Sequence, residues 1–275
     1  MVGMTVVGMT APAGGPILEV RDVSIRFGGV AAVSDTSFTV GDDELVALVG
    51  PNGAGKTALL NAICGIYRPL SGTILLDGRE IQGKHVHRIA AMGVGRSFQH
   101  AEVLEELTVV ENLLAARHLA LGSNVLAMGL YFGPYKRREI AARQAIEEVI
   151  DFFEIERYRH QHVGSLAFGV QKMVGVARAV CMEPRVLLLD EPSSGLTRQE
   201  KEDFARFLLR LRYDRKLPVL WVEHDMQMVT DLADRLIVLD YGRKIADGVP
   251  NEVMRLPEVA AAYLGVETEE LADGV

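Results

Sequence analysis

The eight residues GPNGAGKT, from Gly50 to Thr57, decide the fold of this chain. They follow a short apolar run from Glu44 to Val49 and lead into a helical pattern that starts at Lys56, so the sequence predicts a strand, a loop and a helix. Glycines let the loop backbone curl until successive N–H groups face a phosphate chain, and the positive end of the helix adds to the attraction. This is the context that a phosphate-binding P-loop requires.

Two side chains extend the predicted contacts of the loop. Lys56 is expected to reach the β- and γ-phosphates as a point charge, and the Thr57 hydroxyl is expected to ligate Mg²⁺. A structural Gly-rich turn with an incidental lysine would not need all eight positions in this context. The residues predicted to contact the nucleotide are Asn52, Gly53, Ala54, Gly55, Lys56, Thr57 and Ala58.

A second apolar run, from Val186 to Leu189, ends in two acidic residues. A buried strand has no reason to place two carboxylates together unless they are used. Asp190 is predicted to ligate Mg²⁺, and Glu191 is predicted to polarise the water that attacks the γ-phosphate. The apolar run alone would indicate only a central strand, but together with the P-loop it indicates hydrolysis of a nucleoside triphosphate.

Strand and helix patterns alternate through most of the chain, which predicts an α/β fold with a mostly parallel core sheet. Ligands are expected at the carboxyl ends of its strands. An antiparallel β part is predicted over residues 17–40. A helical subdomain over about 103–180 is predicted as an insertion, because the pattern is almost wholly helical from Thr108 to about Val180, and a further helix is predicted from Pro250 to Leu264. One domain is expected over 17–265, with a disordered tail over 1–16 and a frayed tail over 266–275.

The composition narrows the class of protein. The chain has 275 residues, of which 49% are hydrophobic and 24% charged, as in a globular protein. Its net charge of −8, without a basic run, argues against nucleic-acid binding. Cys64 and Cys181 lie in apolar helical patterns, so we expect buried thiols in a reducing compartment. The longest uncharged window, residues 119–135, is too short and too broken by Gly and Pro to span a bilayer.

The segment LAFGV, residues 166–170, resembles the signature loop of ABC ATPases, whose commonest form is LSGGQ. A helical apolar pattern follows it, and the strand with the two acids comes soon after. In that family the signature loop of one subunit closes over the γ-phosphate held by the P-loop of another. The resemblance implies that two ATPase subunits sandwich two ATP molecules. The residues it directs to the partner's ATP are Ala167, Phe168, Gly169 and Val170.

Three more positions are assigned by the same resemblance. Phe27 stands where ABC ATPases place the aromatic ring that stacks on adenine, although a phenylalanine of the strand core is the alternative. Gln99 resembles the Q-loop glutamine, which senses Mg²⁺ and the attacking water. His224 resembles the switch histidine that hydrogen-bonds the γ-phosphate. With Lys56 and Glu191, Gln99 and His224 make up the expected catalytic set, and Gln99 is also an expected metal-site residue.

The resemblance covers about Ile17 to Gly265. Within the ABC ATPases it is most specific for the ATPase subunits of branched-chain amino acid importers. The segments that carry it are RFGG at 26–29, RSFQH at 96–100, TVVENLL at 108–114, LAFG at 166–169, PEV at 257–259 and AYLG at 262–265. Urea and amide importers and the lipopolysaccharide-export ATPase share much of this pattern. The resemblance implies a second ATPase subunit, two transmembrane permease subunits, an extracytoplasmic solute-binding protein and a peripheral position on the cytoplasmic face of the membrane.

The chain departs from the family pattern around the signature. Val170 stands where glutamine is usual, with Gln171 one place later, and Gly175 replaces an acidic residue. Thr197 replaces the Asp or Asn that is usual in the D-loop, the segment that crosses the dimer interface. Each ATP would lie in a half-site formed by the P-loop of one subunit and the signature loop of the other. We therefore expect the half-site with this chain's P-loop and Glu191 to be competent for hydrolysis. The half-site that this chain's signature closes is expected to be weakened. Such asymmetry favours a heterodimer over a homodimer.

Two other classes of protein share parts of this pattern. A soluble ABC ATPase of DNA repair or translation would need long coiled-coil arms or two fused ATPase domains, and the sequence shows neither. A regulatory module that binds nucleotide without hydrolysing it would not need Glu191 and His224. The sequence therefore favours an ATPase coupled to a transporter.

Overall fold

The computed structural model describes residues 15–97, 103–121 and 134–264. The described residues fall into two units: the first contains those up to Met92 and from Leu208 onward, and the second those from Gly93 to Phe207. Gln99 and nearly all of the two predicted tails lie outside the described residues. The predicted disorder and fraying of the tails therefore stay predictions.

Nineteen helices and strands are described, with short 3₁₀ turns at Glu156–Tyr158 and Val163–Ser165. In chain order they are β1 (Leu18–Phe27), β2 (Val30–Val40), β3 (Leu45–Val49), α1 (Lys56–Ile63), β4 (Ser71–Leu76), β5 (Arg79–Glu80), α2 (Val86–Met92), β6 (Val94–Ser97), α3 (Val109–Leu121), α4 (Pro134–Phe152), α5 (Phe168–Cys181), β7 (Val186–Asp190), α6 (Arg198–Tyr213), β8 (Val219–Val222), α7 (Met226–Leu232), β9 (Arg235–Asp240), β10 (Arg243–Gly248), α8 (Pro250–Val253) and α9 (Pro257–Leu264).

The first unit contains a four-stranded antiparallel sheet in the order β2, β1, β4, β5. Strand β1 pairs with β2 in a register that sets Leu18 opposite Val40 and Val20 opposite Phe38. These four side chains are buried, so the apolar face of the pair is turned to the core. The antiparallel β part predicted for residues 17–40 is confirmed.

The first unit also contains the parallel strands that lead to the P-loop. Strand β3 is parallel to both β8 and β9, and all residues of β3 and β8 are buried. Continuous apolar runs of this kind are typical of parallel strands covered on both faces. Since Leu48 pairs with Val222, the segments after β3 and β8 emerge at the same edge of the sheet. Strand β10, which pairs antiparallel with β9, was not predicted from the sequence.

The second unit combines the parallel pair β6 and β7 with helices α3, α4 and α5. The prediction that residues 108–180 are almost wholly helical is wrong for the stretch between α4 and α5. Glu154 adopts a left-handed φ of 56°, which ends α4, and Thr108 forms a β-bridge with His162. The fold class is confirmed, whereas the boundaries of the helical subdomain at about 103–180 stay a prediction.

The helical pattern expected from Pro250 to Leu264 is divided into α8 and α9. Proline has no N–H to donate, so Pro257 cannot continue α8 and instead begins the next helix, where that N–H would have no partner. Cys64 and Cys181 are both buried, which confirms the burial expected for them, whereas the reducing compartment stays a prediction. In the ranges that the structure describes, no helix combines the length and hydropathy needed to cross a bilayer.

Candidate functional site

The P-loop of the first unit can be built only with glycine at two of its positions. Gly50 has a φ of 147°, and a Cβ there would lie 2.0 Å from the carbonyl oxygen of Leu239. Gly55 has a φ of 97°, and a Cβ there would lie 2.1 Å from the carbonyl oxygen of Ala32. Close approach of neighbouring backbone and positive φ together explain why the loop curls as the sequence predicts.

Lys56 lies inside the curl of this loop. It is the first residue of α1 and is only 6% exposed. Its Nζ donates hydrogen bonds to the carbonyl oxygens of Gly50, at 2.7 Å, and Pro51, at 3.0 Å. Thr57 is exposed on the first turn of the same helix, which contains no acidic residue. This end of α1 therefore presents positive charge and backbone N–H groups, the combination that suits a phosphate chain.

Tyr263 is a contact of the P-loop that the sequence analysis missed. It lies on α9, and its phenol oxygen accepts a hydrogen bond from the backbone N–H of Gly50. The side chain of Tyr263 is 40% exposed, and desolvation of its buried part raises the pKa of the phenol to about 12. The AYLG segment at 262–265 marked the family resemblance, but nothing in its pattern indicated which loop it would contact.

Phe27 lies at the end of β1 and is 46% exposed, which does not fit the alternative of a core-strand phenylalanine. Its ring meets that of Tyr67 edge to face, with centroids 4.9 Å apart. Phe27 pairs with Val30 across the β1–β2 hairpin. Two residues after Val30, the carbonyl oxygen of Ala32 approaches Gly55 of the P-loop. Phe27 therefore lies on the hairpin that packs against the P-loop, and the half-buried ring of Tyr67, from the segment after α1, lies beside it. Tyr67 was not among the residues expected from the sequence.

His224 follows β8 and has an exposed side chain. The residue before it, Glu223, is 2% exposed, and its Oε1 accepts a hydrogen bond of 2.9 Å from the backbone N–H of His224. The Oε2 atom of Glu223 accepts a hydrogen bond of 3.2 Å from the Nε1–H of Trp221. A buried carboxylate fixed by two N–H donors therefore fixes the turn that carries His224. Sequence reasoning missed Glu223, although an acid directly after a buried strand was a visible signal.

In the second unit, Asp190 ends the fully buried strand β7. Its carboxylate is 2% exposed, and Oδ2 lies 3.0 Å from Nη2 of Arg96 on the paired strand β6. A buried ion pair of this kind holds both side chains in a fixed geometry. Glu191 follows with a φ of 49°, a left-handed conformation that is unfavourable for a residue with a Cβ. It turns the chain sharply away from the strand.

The signature segment leads into α5, which begins within the segment at Phe168 and not after it. Ala167 is the N-cap residue, and Phe168 is 52% exposed. Gly169 is buried, and a Cβ there would lie 2.2 Å from Oε1 of Glu200. The Nε2 atom of Gln171 donates to the carbonyl oxygen of Leu166 at 2.9 Å, so this glutamine folds back on the start of the loop.

The D-loop, residues 193–197, ends in a capping box. Both the N–H and the Oγ1 of Thr197 donate to Oε2 of Glu200 at 2.8 Å, and the N–H of Glu200 lies 3.4 Å from Oγ1 of Thr197. Hydrogen bonds from Thr197 and from the N–H of Gly169 lower the pKa of Glu200. Thr197 therefore caps α6 as an aspartate or asparagine would, and Glu200 also contacts the signature loop.

The sequence model described as ABC transporter matches residues 33–194, more than half of the chain. This chain belongs to the ABC transporter family. It is 41% identical to the high-affinity branched-chain amino acid transport ATP-binding protein BraF of Pseudomonas aeruginosa, covering 91% of this chain and 98% of BraF. LivG of Escherichia coli K12, of the same description, is 37% identical over the same shares of the two chains.

A solved structure of an ATP-binding cassette of an ABC transporter, in its ADP conformation, matches this ABC ATPase with a TM-score of 0.80. The identity is 26%, and the match covers 92% of this chain and all of the other. These matches confirm the fold class predicted from the P-loop and the alternating pattern. The chain is accordingly a nucleotide-binding ATPase of the ABC family.

Mg²⁺ binding stays a prediction for this ABC ATPase, and two of the expected ligands, one in each unit, carry suitable oxygen donors. The Thr57 hydroxyl and the Asp190 carboxylate are hard ligands of the kind that Mg²⁺ prefers. Among the described residues, no group of three or more His, Cys, Asp or Glu side chains could hold a metal by itself. Mg²⁺ usually keeps several waters and uses phosphate oxygens beside one or two protein ligands, so such a cluster is not required.

The described site residues divide between the two units of the ABC ATPase. In the first unit, Lys56 and Thr57 lie where the P-loop meets α1. Phe27 lies on the neighbouring hairpin, and His224 follows the adjacent strand β8. The second unit places Asp190, Glu191 and the signature segment 166–170 around β7 and α5. The roles of these residues stay predictions, and Gln99 lies outside the described residues.

Replacement of Phe27 by alanine is expected to weaken ATP binding by about 5- to 100-fold, because stacking of one base on an aromatic ring is worth about 1–3 kcal/mol. Phe27→Trp, which keeps an aromatic face, should bind ATP within about threefold of the wild type. Both affinities can be measured by isothermal titration calorimetry. An unchanged affinity in Phe27→Ala would show that adenine does not stack there.

Proposed function

We propose that this ABC ATPase binds and hydrolyses ATP to power a membrane importer of branched-chain amino acids or related small solutes. The observation that carries the proposal is the 41% identity to BraF, which extends over nearly the whole of both chains. All P-loop ATPases need a P-loop and a strand like β7 in some form. A match of that extent also includes the segments outside these two elements. The proposal therefore concerns the transport class and not only nucleotide binding.

In the proposed reaction, the P-loop N–H groups, the N-terminus of α1 and Lys56 hold the phosphates of ATP. Thr57 and Asp190 would hold Mg²⁺, which would supply further positive charge at the phosphates. Glu191 polarises the attacking water, and His224 hydrogen-bonds the γ-phosphate. By its resemblance to the Q-loop glutamine, Gln99 would sense the metal and the attacking water. Phosphoryl transfer depends mainly on positioning and charge stabilisation, which is what these groups offer.

The proposed assembly contains a second ABC ATPase subunit, two transmembrane permease subunits and, indirectly, an extracytoplasmic solute-binding protein. Membrane-embedded partners would hold this chain at the cytoplasmic face as a peripheral subunit. The signature segment 166–170 would contact ATP in the partner ATPase. We favour a heterodimer over a homodimer because Val170 and Thr197 depart from the family pattern.

Val170→Gln is expected to raise transport-coupled ATP hydrolysis by about two- to tenfold, as one added polar contact to the partner's nucleotide would contribute about 0.5–1.5 kcal/mol. Val170 lines a pocket with Phe153 and Met173, so the substitution also replaces an apolar contact. Val170→Leu is the matched control, because it changes shape without adding a polar group. An unchanged rate in Val170→Gln would contradict a weakened signature.

The function can be tested by reconstituting the chain with its permease subunits and solute-binding protein in proteoliposomes. We expect uptake of labelled leucine, isoleucine or valine that requires ATP on the side of this chain. Uptake of urea or short amides in place of these amino acids would reassign the solute class. ATP hydrolysis that no solute or permease stimulates would contradict a role in import.

A further inference from the structure

Lys172 is a buried lysine on the first turns of α5, 7% exposed, to which the proposed reaction gives no role. Its Nζ donates to the carbonyl oxygen of Glu191 at 3.3 Å and to that of Pro192 at 3.2 Å. It also donates to the carbonyl oxygen of Ser194. Three carbonyl groups of the segment that follows β7 therefore converge on one ammonium group.

This ammonium also contacts the signature loop. It lies 5.2 Å from the ring centroid of Phe168, within the range of a cation–π interaction. The same ring packs on the D-loop, because a Cβ added to Gly195 would lie 3.0 Å from Cε1 of Phe168. Lys172 and Phe168 therefore join the start of α5 to the whole turn from Glu191 to Gly195.

The position of this contact bears on the direction of the Glu191 side chain. Glu191 has a φ of 49°, which its own Cβ disfavours. Such conformations persist only where the surrounding structure determines them. The buried charge of Lys172 stabilises this turn, because it attracts the carbonyl groups of Glu191, Pro192 and Ser194. The value of φ at Glu191 in turn sets the direction in which its carboxylate points.

We propose that Lys172 is a positioning residue for Glu191. By holding the backbone turn after β7, it keeps the carboxylate of Glu191 in the direction needed to polarise the attacking water. Because the same ammonium contacts Phe168, the start of the signature helix and the turn at Glu191 form one rigid part of the second unit. This proposal rests on the proposed catalytic role of Glu191.

Lys172→Met tests it, since methionine is long and unbranched but carries no charge. We expect kcat for ATP hydrolysis to fall about 10- to 100-fold, because small misplacement of a catalytic group has effects of this size. The Kd for ATP should stay within about twofold, and Lys172→Arg, which keeps the charge, should recover most of kcat. Lys244→Met is the control: Lys244 is part-buried and bonds Asp247 in the first unit, so kcat should not change.

A double-mutant cycle separates positioning from a merely structural role. In the Glu191→Gln background, Lys172→Met should change the residual rate by less than about twofold, because the group it positions is already gone. An equal loss of rate in both backgrounds, or an unchanged kcat in Lys172→Met alone, would overturn the proposal. If Lys172→Met does not fold, Lys172→Gln takes its place in the cycle. An unchanged rate in Glu191→Gln itself would refute the role of Glu191 and this proposal together.

Discussion

Lys56→Ala is expected to weaken ATP binding about 10- to 100-fold and to remove nearly all hydrolysis. The substitution deletes a buried ammonium whose charge-assisted contacts with phosphate are worth about 1.5–3 kcal/mol in binding. The loss in hydrolysis should exceed the loss in affinity, because charge stabilisation acts more strongly on the transition state. Calorimetric titration with ATP and a phosphate-release assay at saturating ATP measure the two effects separately.

Lys84→Ala is the matched control for this experiment. Lys84 is an exposed lysine of the same unit, and surface substitutions of this kind usually change stability by less than about 0.5 kcal/mol. Both its affinity and its rate should match the wild type. If Lys56→Ala retained wild-type hydrolysis, the loop from Gly50 to Thr57 would not be the nucleotide site of this chain.

Glu191→Gln is expected to lower the rate of ATP hydrolysis by about 10²- to 10⁴-fold, the range found when a general base is removed. Glutamine keeps the shape of the side chain, so the Kd for ATP should stay within about threefold of the wild type. Rates come from single-turnover phosphate release by the reconstituted transporter, and affinities come from titration of the purified chain.

Glu183→Gln is its matched control. Glu183 also adopts a left-handed φ, of 51°, but its carboxylate is 67% exposed and pairs with Arg117. Exposed ion pairs of this kind contribute at most about 1 kcal/mol, and this one lies outside the proposed reaction. Equal rates for Glu191→Gln and the wild type would mean that another group activates the water.

The sequence predicted those parts of the fold that depend on local pattern. The apolar run before Gly50 and the glycines after it specify a strand and a loop whatever surrounds them, and the structure places β3, the P-loop and α1 there. The two acids at the end of the second apolar run, Asp190 and Glu191, were visible for the same reason. The break between α8 and α9 followed from Pro257, which an expectation based on helical periodicity alone overlooked.

Contacts that depend on tertiary structure could not be read from the sequence. Tyr263 lies more than two hundred residues after Gly50, and only the folded chain brings its phenol to the P-loop. Lys172 reads as a solvated lysine on an amphipathic helix, yet it is buried against carbonyl groups of the turn after β7. Residue type and spacing identify groups that can do chemistry, but the residues that position them are determined by packing.

The central claim, that this chain hydrolyses ATP in order to drive uptake, is tested most directly by measuring phosphate release and leucine uptake in the same proteoliposomes. The wild-type assembly should show both, and the assembly with Glu191→Gln should lose both together while it still binds ATP. Leucine uptake that continued at the wild-type rate without phosphate release would contradict the account.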